Sequence, residues 1–374
     1  MDGAFYTGTY PNLISELGIS EEEIEKRIQD VFQTIFFDNE EKFYFESGEN
    51  MGYLLDTGNL DVRSEGMSYG MMMAVQMDRK DIFDRLWLFS KTYMYQFSGK
   101  YEGYFAWSVS PDGTKNSQGP APDGEEYFAM ALMFASHRWG DGIPPFNYSE
   151  QAKDILWHCL HQNELVVDGR AMWDQSNHYI RFVPEVDYTD PSYHLPHFYE
   201  LFSLWAKEED RSFWKTAAIA SREFLHITCD DVTGMAPEYA EYSGLPKRLF
   251  HDGQFYSDAY RVAMNFGLDA AWFHKDATLG VIVDKLQTFF SEKTNLIDFN
   301  NYLIDGTALD QFALHPIAII ATNAAGSLAA TGKYRLEWVN LFLNTPLRKG
   351  DRRYYDNCLY FFCLLMLAGR YRIY

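Results

Sequence analysis

The chain has 374 residues, of which 47% are hydrophobic, so it can bury a sizeable core and is not a disordered or low-complexity chain. Its 53 acidic and 32 basic residues give a formal charge of −21, which disfavours nucleic acids and anionic membrane surfaces as partners. The composition therefore favours a neutral ligand, although an acidic surface also serves simple solubility.

Cysteine usage and the start of the sequence give an expectation about the compartment. Cys159, Cys229, Cys358 and Cys363 form neither a Cys-x-x-Cys pair nor a zinc spacing, so we expect reduced, mostly buried thiols. No basic region followed by an apolar run occurs near the start, and no run of about 18 apolar residues could span a membrane. These features predict a cytoplasmic protein.

Helical periodicity dominates the sequence and predicts about a dozen helices. In chain order they cover residues 21–36, 66–76, 81–97, 125–138, 149–161, 195–206, 211–227, 257–272, 275–291, 311–330, 334–343 and 354–370. The first has a clear start signal, because Ser20 can cap the helix and Glu23 completes a capping box.

The connections between these helices alternate between short and long. A short polar link covers 78–80, whereas 98–124, 162–194 and 228–256 are long and rich in Gly, Pro, Asp and aromatic residues, as functional loops usually are. No Ser/Gly/Pro linker divides the chain, so we expect one domain over residues 1–374. Stacked helical hairpins could close into a ring of six pairs or form an open solenoid, but no fixed-period repeat supports the solenoid.

Three acidic residues share one local setting, in which a long loop runs into an apolar helix. Glu65 lies in Arg-Ser-Glu-Gly-Met-Ser-Tyr-Gly, Asp123 in Ala-Pro-Asp-Gly-Glu-Glu, and Asp258 in Phe-Tyr-Ser-Asp-Ala-Tyr-Arg. Taken singly, each could cap its helix or favour the positive end of the helix, with Glu126 as the return partner of Asp123. In a closed ring, alternate helices would start at the same end, so the three carboxyls could converge in one cleft.

Such a cleft could cleave a glycosidic bond. One carboxyl protonates the leaving oxygen, and another activates water or attacks the sugar carbon. A helix N-terminus lowers a carboxyl pKa, whereas a general acid needs a raised pKa. Glu65 would therefore need burial or nearby negative charge, for which Asp123 and Asp258 are candidate sources.

These segments resemble glycoside hydrolase family 8. The stretch Ala121–Trp139 is similar to the signature of that family, with departures at Pro122, Glu125 and Phe128. Ser64–Gly70 resembles its general-acid motif. The resemblance runs from about Gly3 almost to the C-terminus and is closer still to exo-acting members that release xylose. The stretches that carry this closer resemblance are Tyr53–Arg63, Asp190–Glu200 and Arg352–Tyr360.

The resemblance implies an all-α fold, an (α/α)6 barrel of six helical hairpins with long loops at the active-site end. It implies an inverting mechanism with no cofactor and no metal, with Glu65 as general acid and Asp258 as general base. Asp123 would hold and distort the sugar at the cleaved bond, and Tyr193 would hydrogen-bond the attacking water. Arg261, one helical turn after Asp258, would orient that base, although a solvated ion pair is the alternative reading of the same spacing.

Four further residues are expected to bind substrate. Trp107 is the candidate stacking platform, although a core Trp fits its spacing equally well. In exo-acting members the tripeptide Leu314–Pro316 kinks the chain and walls off the cleft, so that His315 would bond the reducing-end hydroxyl; a helix start with Pro at its first position is the alternative. Tyr354 and Tyr355 complete the expected binding residues.

The expected function is release of xylose, with inversion, from the reducing end of xylotriose or longer β-1,4-xylo-oligosaccharides by a monomer. Inversion predicts that the Glu65 and Asp258 carboxyls lie about 6.5–9.5 Å apart. Three alternatives stay open: an endo-acting xylanase, glucanase or chitosanase of the same family; a sugar epimerase or isomerase on a similar helical barrel; and a non-catalytic oligosaccharide-binding protein. The His158/His161 and His194/His197 spacings could suit a metal, but no acidic third ligand is evident.

Overall fold

The computed structural model of the chain describes residues 2–249, 251, 253–293 and 299–374. Helices dominate these residues, which fits the predicted all-α class. They are α1 (Ala4–Thr7), α2 (Leu13–Glu16), α3 (Glu21–Phe36), α4 (Ser64–Gln76), α5 (Lys80–Phe89), α6 (Pro122–Trp139), α7 (Tyr148–Leu165), α8 (Pro196–Trp205), α9 (Arg211–Thr228), α10 (Arg261–Trp272), α11 (Leu279–Lys293), α12 (Pro316–Gly326), α13 (Arg335–Leu343) and α14 (Arg353–Leu367).

Short antiparallel strands stiffen the connections between the helices. They are β1 (Tyr44–Ser47), β2 (Met51–Leu54), β3 (Val62–Arg63), β4 (Ser108–Val109), β5 (Tyr188–Thr189), β6 (Ala240–Glu241), β7 (Gln254–Phe255), β8 (Asn300–Leu303) and β9 (Ala308–Phe312). β1 pairs with β2, β3 with β4 and β5 with β6, while β7, β8 and β9 form a three-stranded sheet. The predicted long loops 162–194 and 228–256 are thus tied to each other by backbone pairing, and 98–124 is tied to the segment just before α4.

Each predicted helix corresponds to one of the helices α3 to α14, but several predicted boundaries are off by three residues or more, and two of these have a clear structural reason. The helix predicted over 311–330 starts only at Pro316, because β9 takes the preceding residues and proline suits a first helical position. The helix predicted over 81–97 is α-helical to Phe89 and continues as a π-helical turn over Ser90–Met94. The predicted capping box of Ser20 and Glu23 is confirmed at the start of α3.

The even-numbered helices from α4 to α14 form a circuit of contacts. Each contacts the next, and α14 contacts α4. The odd-numbered helices pack against members of this circuit: α3 against α14, α5 against α4, α7 against α6, α9 against α8, α11 against α10 and α12, and α13 against α12. Burial agrees with this arrangement, because α4 and α14 are buried on nearly all sides, whereas α3 buries one face only.

Helices α10 and α12 pack closely at Gly267, where a Cβ would lie 2.1 Å from the Ala325 carbonyl oxygen. We expect Gly267→Ala to lower the free energy of unfolding by about 1–3 kcal/mol, because the methyl group would push two backbones apart. Urea unfolding measures this loss. Gly119→Ala is the control, since its nearest neighbour would be 3.8 Å away; equal midpoints for the two variants would contradict the prediction.

Within the described residues, no helix has the length and apolar character that crossing a membrane requires. All four cysteines are free and buried, as the sequence predicts.

Candidate active site

A cavity of about 270 Å³ opens among helix starts and the long connections that precede them. Five of the predicted site residues line it: Glu65, Asp258, His315, Tyr354 and Tyr355. The other lining residues are Asp56, Asn59, Arg63, Glu238, Tyr256, Ser257, Leu314 and Arg352. Five of the nine predicted site residues therefore come together around one space.

The guanidinium of Arg261 joins the three predicted acids. Its Nη1 donates to Glu65 Oε2 and Asp123 Oδ2, both at 3.1 Å, and to the Tyr69 hydroxyl at 2.8 Å. Its Nη2 lies 3.2 Å from Asp258 Oδ1. Because the Arg261 side chain is only 3% exposed, its pairing with Asp258 is not a solvated ion pair. The predicted convergence of the three carboxyls is confirmed.

The three acids reach this point because each lies near the start of a helical segment. Glu65 and Asp123 occupy the first turns of α4 and α6, and Asp258 lies in the 3-10 turn Ser257–Tyr260 that leads into α10. The N-cap positions of all three helices lack a side-chain cap, so the alternative that these acids serve as caps is wrong. The predicted return partner Glu126 is instead buried against Tyr199.

Glu65 has the properties of a proton donor. Burial raises the pKa of Glu65 to about 7; Arg261 and Arg63 oppose this shift, and the charges of Asp123 and Asp258 add to it. The Tyr354 hydroxyl donates to Glu65 Oε1 at 3.0 Å. Gly66 permits this approach, since a Cβ there would lie 2.4 Å from the Tyr354 hydroxyl. Burial and negative neighbours together thus outweigh the helix N-terminus.

Asp123 combines burial with an unused acceptor. Burial raises the pKa of Asp123 to about 6; Arg261 opposes the shift, and Asp258 adds to it. Its Oδ1 is buried and has no hydrogen-bond partner in the described part of the chain. A buried acceptor without a partner is costly, which makes this oxygen a candidate contact for a ligand hydroxyl.

Two acids beside this cluster were not singled out from the sequence. Asp190 is fully buried, accepts from Ser192 N and Oγ, and has Oδ2 at 3.9 Å from Arg261 Nη2. Glu238 contacts His251 Nδ1, and burial raises the pKa of Glu238 to about 9. Asp190 lies in a stretch that carried the family resemblance, whereas Glu238 lies within the long loop 228–256, where no neighbouring sequence pattern marks it.

The predicted tyrosines surround the acids. The Tyr193 ring is buried, with its centroid 5.5 Å from Arg261 Cζ. The Tyr355 hydroxyl donates to the Ser257 carbonyl at 2.9 Å and lies 3.5 Å from Asp258 Oδ1. These contacts fix the peptide that carries Asp258.

His315 and Trp107 occupy different positions relative to the cavity. His315 lines it, with Nδ1 3.0 Å from Asp356 Oδ2 and its ring 4.7 Å from the Tyr355 ring. Trp107 lies outside the lining residues, is 37% exposed, and has its ring 5.3 Å from Arg63 Cζ. Trp107 is therefore not a core residue, and it flanks the cavity through Arg63.

In the part of the chain that the structure describes, no group of three or more His, Cys, Asp or Glu residues could hold a metal ion. His194, one of the histidines whose spacing could suit a metal, is instead held by hydrogen bonds within the protein. Its ring nitrogens lie 3.0 Å from Thr189 Oγ1 and 2.9 Å from Ser221 Oγ, and burial lowers the pKa of His194 to about 3.

Comparisons with known proteins agree with this geometry. A sequence profile of glycosyl hydrolases family 8 matches residues 42–368. A reducing end xylose-releasing exo-oligoxylanase of Halalkalibacterium halodurans is 59% identical, covering 100% of this chain and 96% of the relative. Its counterpart in Paenibacillus barcinonensis is 54% identical, covering 100% and 98%. The crystal structure of a reducing-end-xylose releasing exo-oligoxylanase mutant complexed with xylobiose matches with a TM-score of 0.97 and 59% identity, over 100% of this chain and 99% of that one. With its acids gathered at one cavity and these relatives aligned along its whole length, the chain belongs to glycosyl hydrolases family 8.

Proposed function

We propose that this chain releases xylose from the reducing end of β-1,4-xylo-oligosaccharides with inversion. The names of the relatives that are 54% and 59% identical support this substrate. The observation that carries the mechanism is that Glu65 and Asp258 contact different nitrogens of one buried guanidinium, at 3.1 and 3.2 Å. In this proposal the two carboxyls lie about 6.5–9.5 Å apart, as an inverting pair requires, because a water must fit between the base and the sugar.

Glu65 would protonate the leaving oxygen, and Asp258 would activate the water. The Glu65 side chain is 15% exposed and the Asp258 side chain 25% exposed, so water can reach the base more easily than the acid. Arg261 and Tyr355 both contact Oδ1 of Asp258, which leaves Oδ2 to take the proton from water.

The residues around the acid and the base would hold the sugar and the water. The unpartnered Oδ1 of Asp123 supports a bond to a sugar hydroxyl that holds and distorts the ring at the cleaved bond. Tyr193 would hydrogen-bond the attacking water. Arg261 would orient Asp258, while its contacts to Glu65 and Asp123 set the relative positions of all three acids.

The exo action would come from the wall that Leu314 and His315 form in the cavity lining. Asp356 holds Nδ1 of His315, and also accepts from Arg348 Nη1 and Ala318 N, so the imidazole is fixed. Its Nε2 is left for the reducing-end hydroxyl. Tyr354 and Tyr355 would contact the sugar beside this wall, and Trp107 would stack on a sugar at the mouth of the cavity.

We also propose that the helix circuit is an (α/α)6 barrel forming a single catalytic domain over residues 1–374. The closed order of contacts from α4 to α14 supports the barrel. A monomeric state and a cytoplasmic location complete this proposal; the four free, buried cysteines are compatible with a reducing compartment.

We expect kcat/KM for xylotriose to fall as the pH rises through about 7, because Glu65 then loses the proton that the leaving oxygen needs. The sign follows from the raised pKa: the carboxyl keeps its proton below this value and loses it above. Initial rates at pH values on both sides of neutrality measure this fall in kcat/KM. Glu65→Gln is the control, since its residual activity no longer depends on this proton; an identical alkaline fall in kcat/KM for the variant and the wild type would contradict the assignment.

Xylotriose hydrolysis followed by NMR tests the proposed function. The proposal expects free xylose, and the α-anomer at the newly formed reducing end of xylobiose. Initial formation of the β-anomer would indicate retention and overturn the inverting mechanism. Borohydride-reduced xylotriose separates exo from endo action: an enzyme that must grip the reducing end should leave it intact, whereas an endo-acting xylanase should still cut a longer reduced chain. An epimerase or a binding protein would produce no new reducing ends from either substrate.

A further inference from the structure

Tyr199 of α8 lies between Glu126 of α6 and the backbone of Tyr193. Its hydroxyl is 2.5 Å from Glu126 Oε1 and 3.0 Å from the Tyr193 carbonyl oxygen. Glu126 and Tyr199 are 0% exposed and Tyr193 is 5% exposed, so water does not reach these contacts easily. A phenol carries one proton and can donate to only one of these two oxygens.

Proton counting favours the protonated state of Glu126. An ionised carboxylate only accepts hydrogen bonds, so it would compete with the Tyr193 carbonyl for the single proton of Tyr199. A protonated Glu126 can donate to Tyr199, which then donates to the Tyr193 carbonyl, and both short contacts become hydrogen bonds. The other carboxyl oxygen, Glu126 Oε2, is buried and has no partner among the described residues. Burying this oxygen without a hydrogen bond costs far less free energy for a neutral carboxylic acid than for a carboxylate.

The surroundings of Glu126 agree with this count. Burial raises the pKa of Glu126 well above its ordinary value, and the charges of Asp123 and Asp190 add to the effect. The Tyr199 hydrogen bond and Arg261 oppose it. Arg261 already contacts other carboxyls, at 3.1 Å for Glu65 and Asp123 and at 3.2 Å for Asp258.

The turn that carries Tyr193 is held at other points as well. Tyr193 N donates to the Asp190 carbonyl at 3.0 Å, and Asn265 Nδ2 donates to the Ser192 carbonyl at 3.0 Å. The contact from Tyr199 anchors the last residue of this turn. The Tyr193 ring extends from that residue to within 5.5 Å of Arg261 Cζ.

We infer that Glu126 is a protonated positioning residue, which acts through Tyr199 to fix the backbone of Tyr193 and so the place of its hydroxyl in the active site. The inference rests on the proposed function, in which the Tyr193 hydroxyl holds the attacking water. Glu126 itself touches neither substrate nor water in this scheme. Its effect on the reaction passes through two hydrogen bonds.

Three variants test the inference. Glu126→Gln keeps a donor for Tyr199 and should keep kcat close to that of the wild type. Glu126→Ala removes the donor to Tyr199 but leaves the Tyr199 hydroxyl, and should lower kcat by about tenfold with little change in KM, as expected for loss of one hydrogen bond. Tyr199→Phe removes the bond to the Tyr193 carbonyl itself and should lower kcat by about 100-fold, because a small misplacement of a catalytic group has effects of this size.

An infrared difference spectrum of wild type against Glu126→Gln reports the proton directly. The protonated carboxyl should appear as a carbonyl band at neutral pH, and a carboxylate band in its place would overturn the inference. A Gln variant as impaired as the Ala variant would also overturn it, as would full activity of both Glu126→Ala and Tyr199→Phe. Thermal melts check that each variant is folded; if the Ala variant does not fold, Tyr199→Phe and the infrared band still decide. A wild type that releases no xylose would defeat the proposed function, while the infrared result would still stand on its own.

Discussion

Glu65→Gln is expected to lower kcat for xylotriose by about 10⁴-fold, the upper range for loss of a general acid, because an amide cannot transfer the proton. The amide oxygen can still accept from Tyr354 or Arg261, which bond the carboxyl at 3.0 and 3.1 Å in the wild type. Binding should therefore persist and KM should change little. Initial rates of xylose release measure both quantities.

Two controls isolate the proton transfer at Glu65. The residual activity of Glu65→Gln should lack the fall in kcat/KM above about pH 7, because the variant has no carboxyl proton to lose there. Glu23→Gln makes the same chemical change on the surface, in a capping box that glutamine also supports, and should leave kcat unchanged. If Glu65→Gln kept more than about a tenth of the wild-type kcat on xylotriose, the loss of rate would be too small for removal of a general acid, and the assignment of Glu65 would be contradicted.

Arg261→Met should have the largest effect on stability. We expect the free energy of unfolding to fall by about 3–5 kcal/mol, since removing one partner leaves buried carboxyls without compensation. Glu65, Asp123 and Asp258 all lie within 3.2 Å of this guanidinium. The loss should shrink as the pH falls, because protonation removes the repulsion between the acids. Urea unfolding at neutral and acidic pH measures both effects.

Arg222→Met is the matched control for Arg261→Met. Arg222 donates to Asp269 at 2.6 and 2.9 Å and to Glu200 at 2.7 Å, and its side chain is 7% exposed. It does not line the cavity. Both variants should lose stability, but only Arg261→Met should also lose xylose release per folded molecule. Equal specific activities would show that Arg261 has a structural role alone.

The main acids of the site could be predicted from sequence because their signal is local. Glu65, Asp123 and Asp258 each follow a long loop and precede an apolar helix, and such segments converge when alternate helices point the same way. Glu238 gives no such signal, since it reaches the cavity only after the connection between α9 and α10 has folded across it. The capping interpretation of Asp123 was wrong because the fold uses that side chain to contact Arg261.

The helices could also be predicted from local sequence signals, whereas the strands could not. Apolar periodicity acts within one segment, so α3 to α14 could be recognised one by one. Strands of two residues, such as β3 and β4, carry no periodicity of their own and pair only because the helices bring two loops together. The wrong start predicted for α12 has the same origin, because β9 owes its extended form to pairing with β8.

The buried acids in and beside the active site lower the free energy of unfolding as the pH rises. Burial raises the pKa of Glu65 from 4.5 to about 7, of Glu125 from 4.5 to about 8, and of Glu238 from 4.5 to about 9. Above about 4.5 the unfolded chain gives up these protons first, so each rise in pH toward the folded-state values favours unfolding. The proton that Glu65 needs as general acid is therefore held at a cost in stability as the pH rises, and substitutions meant to stabilise the protein at high pH should spare Glu65.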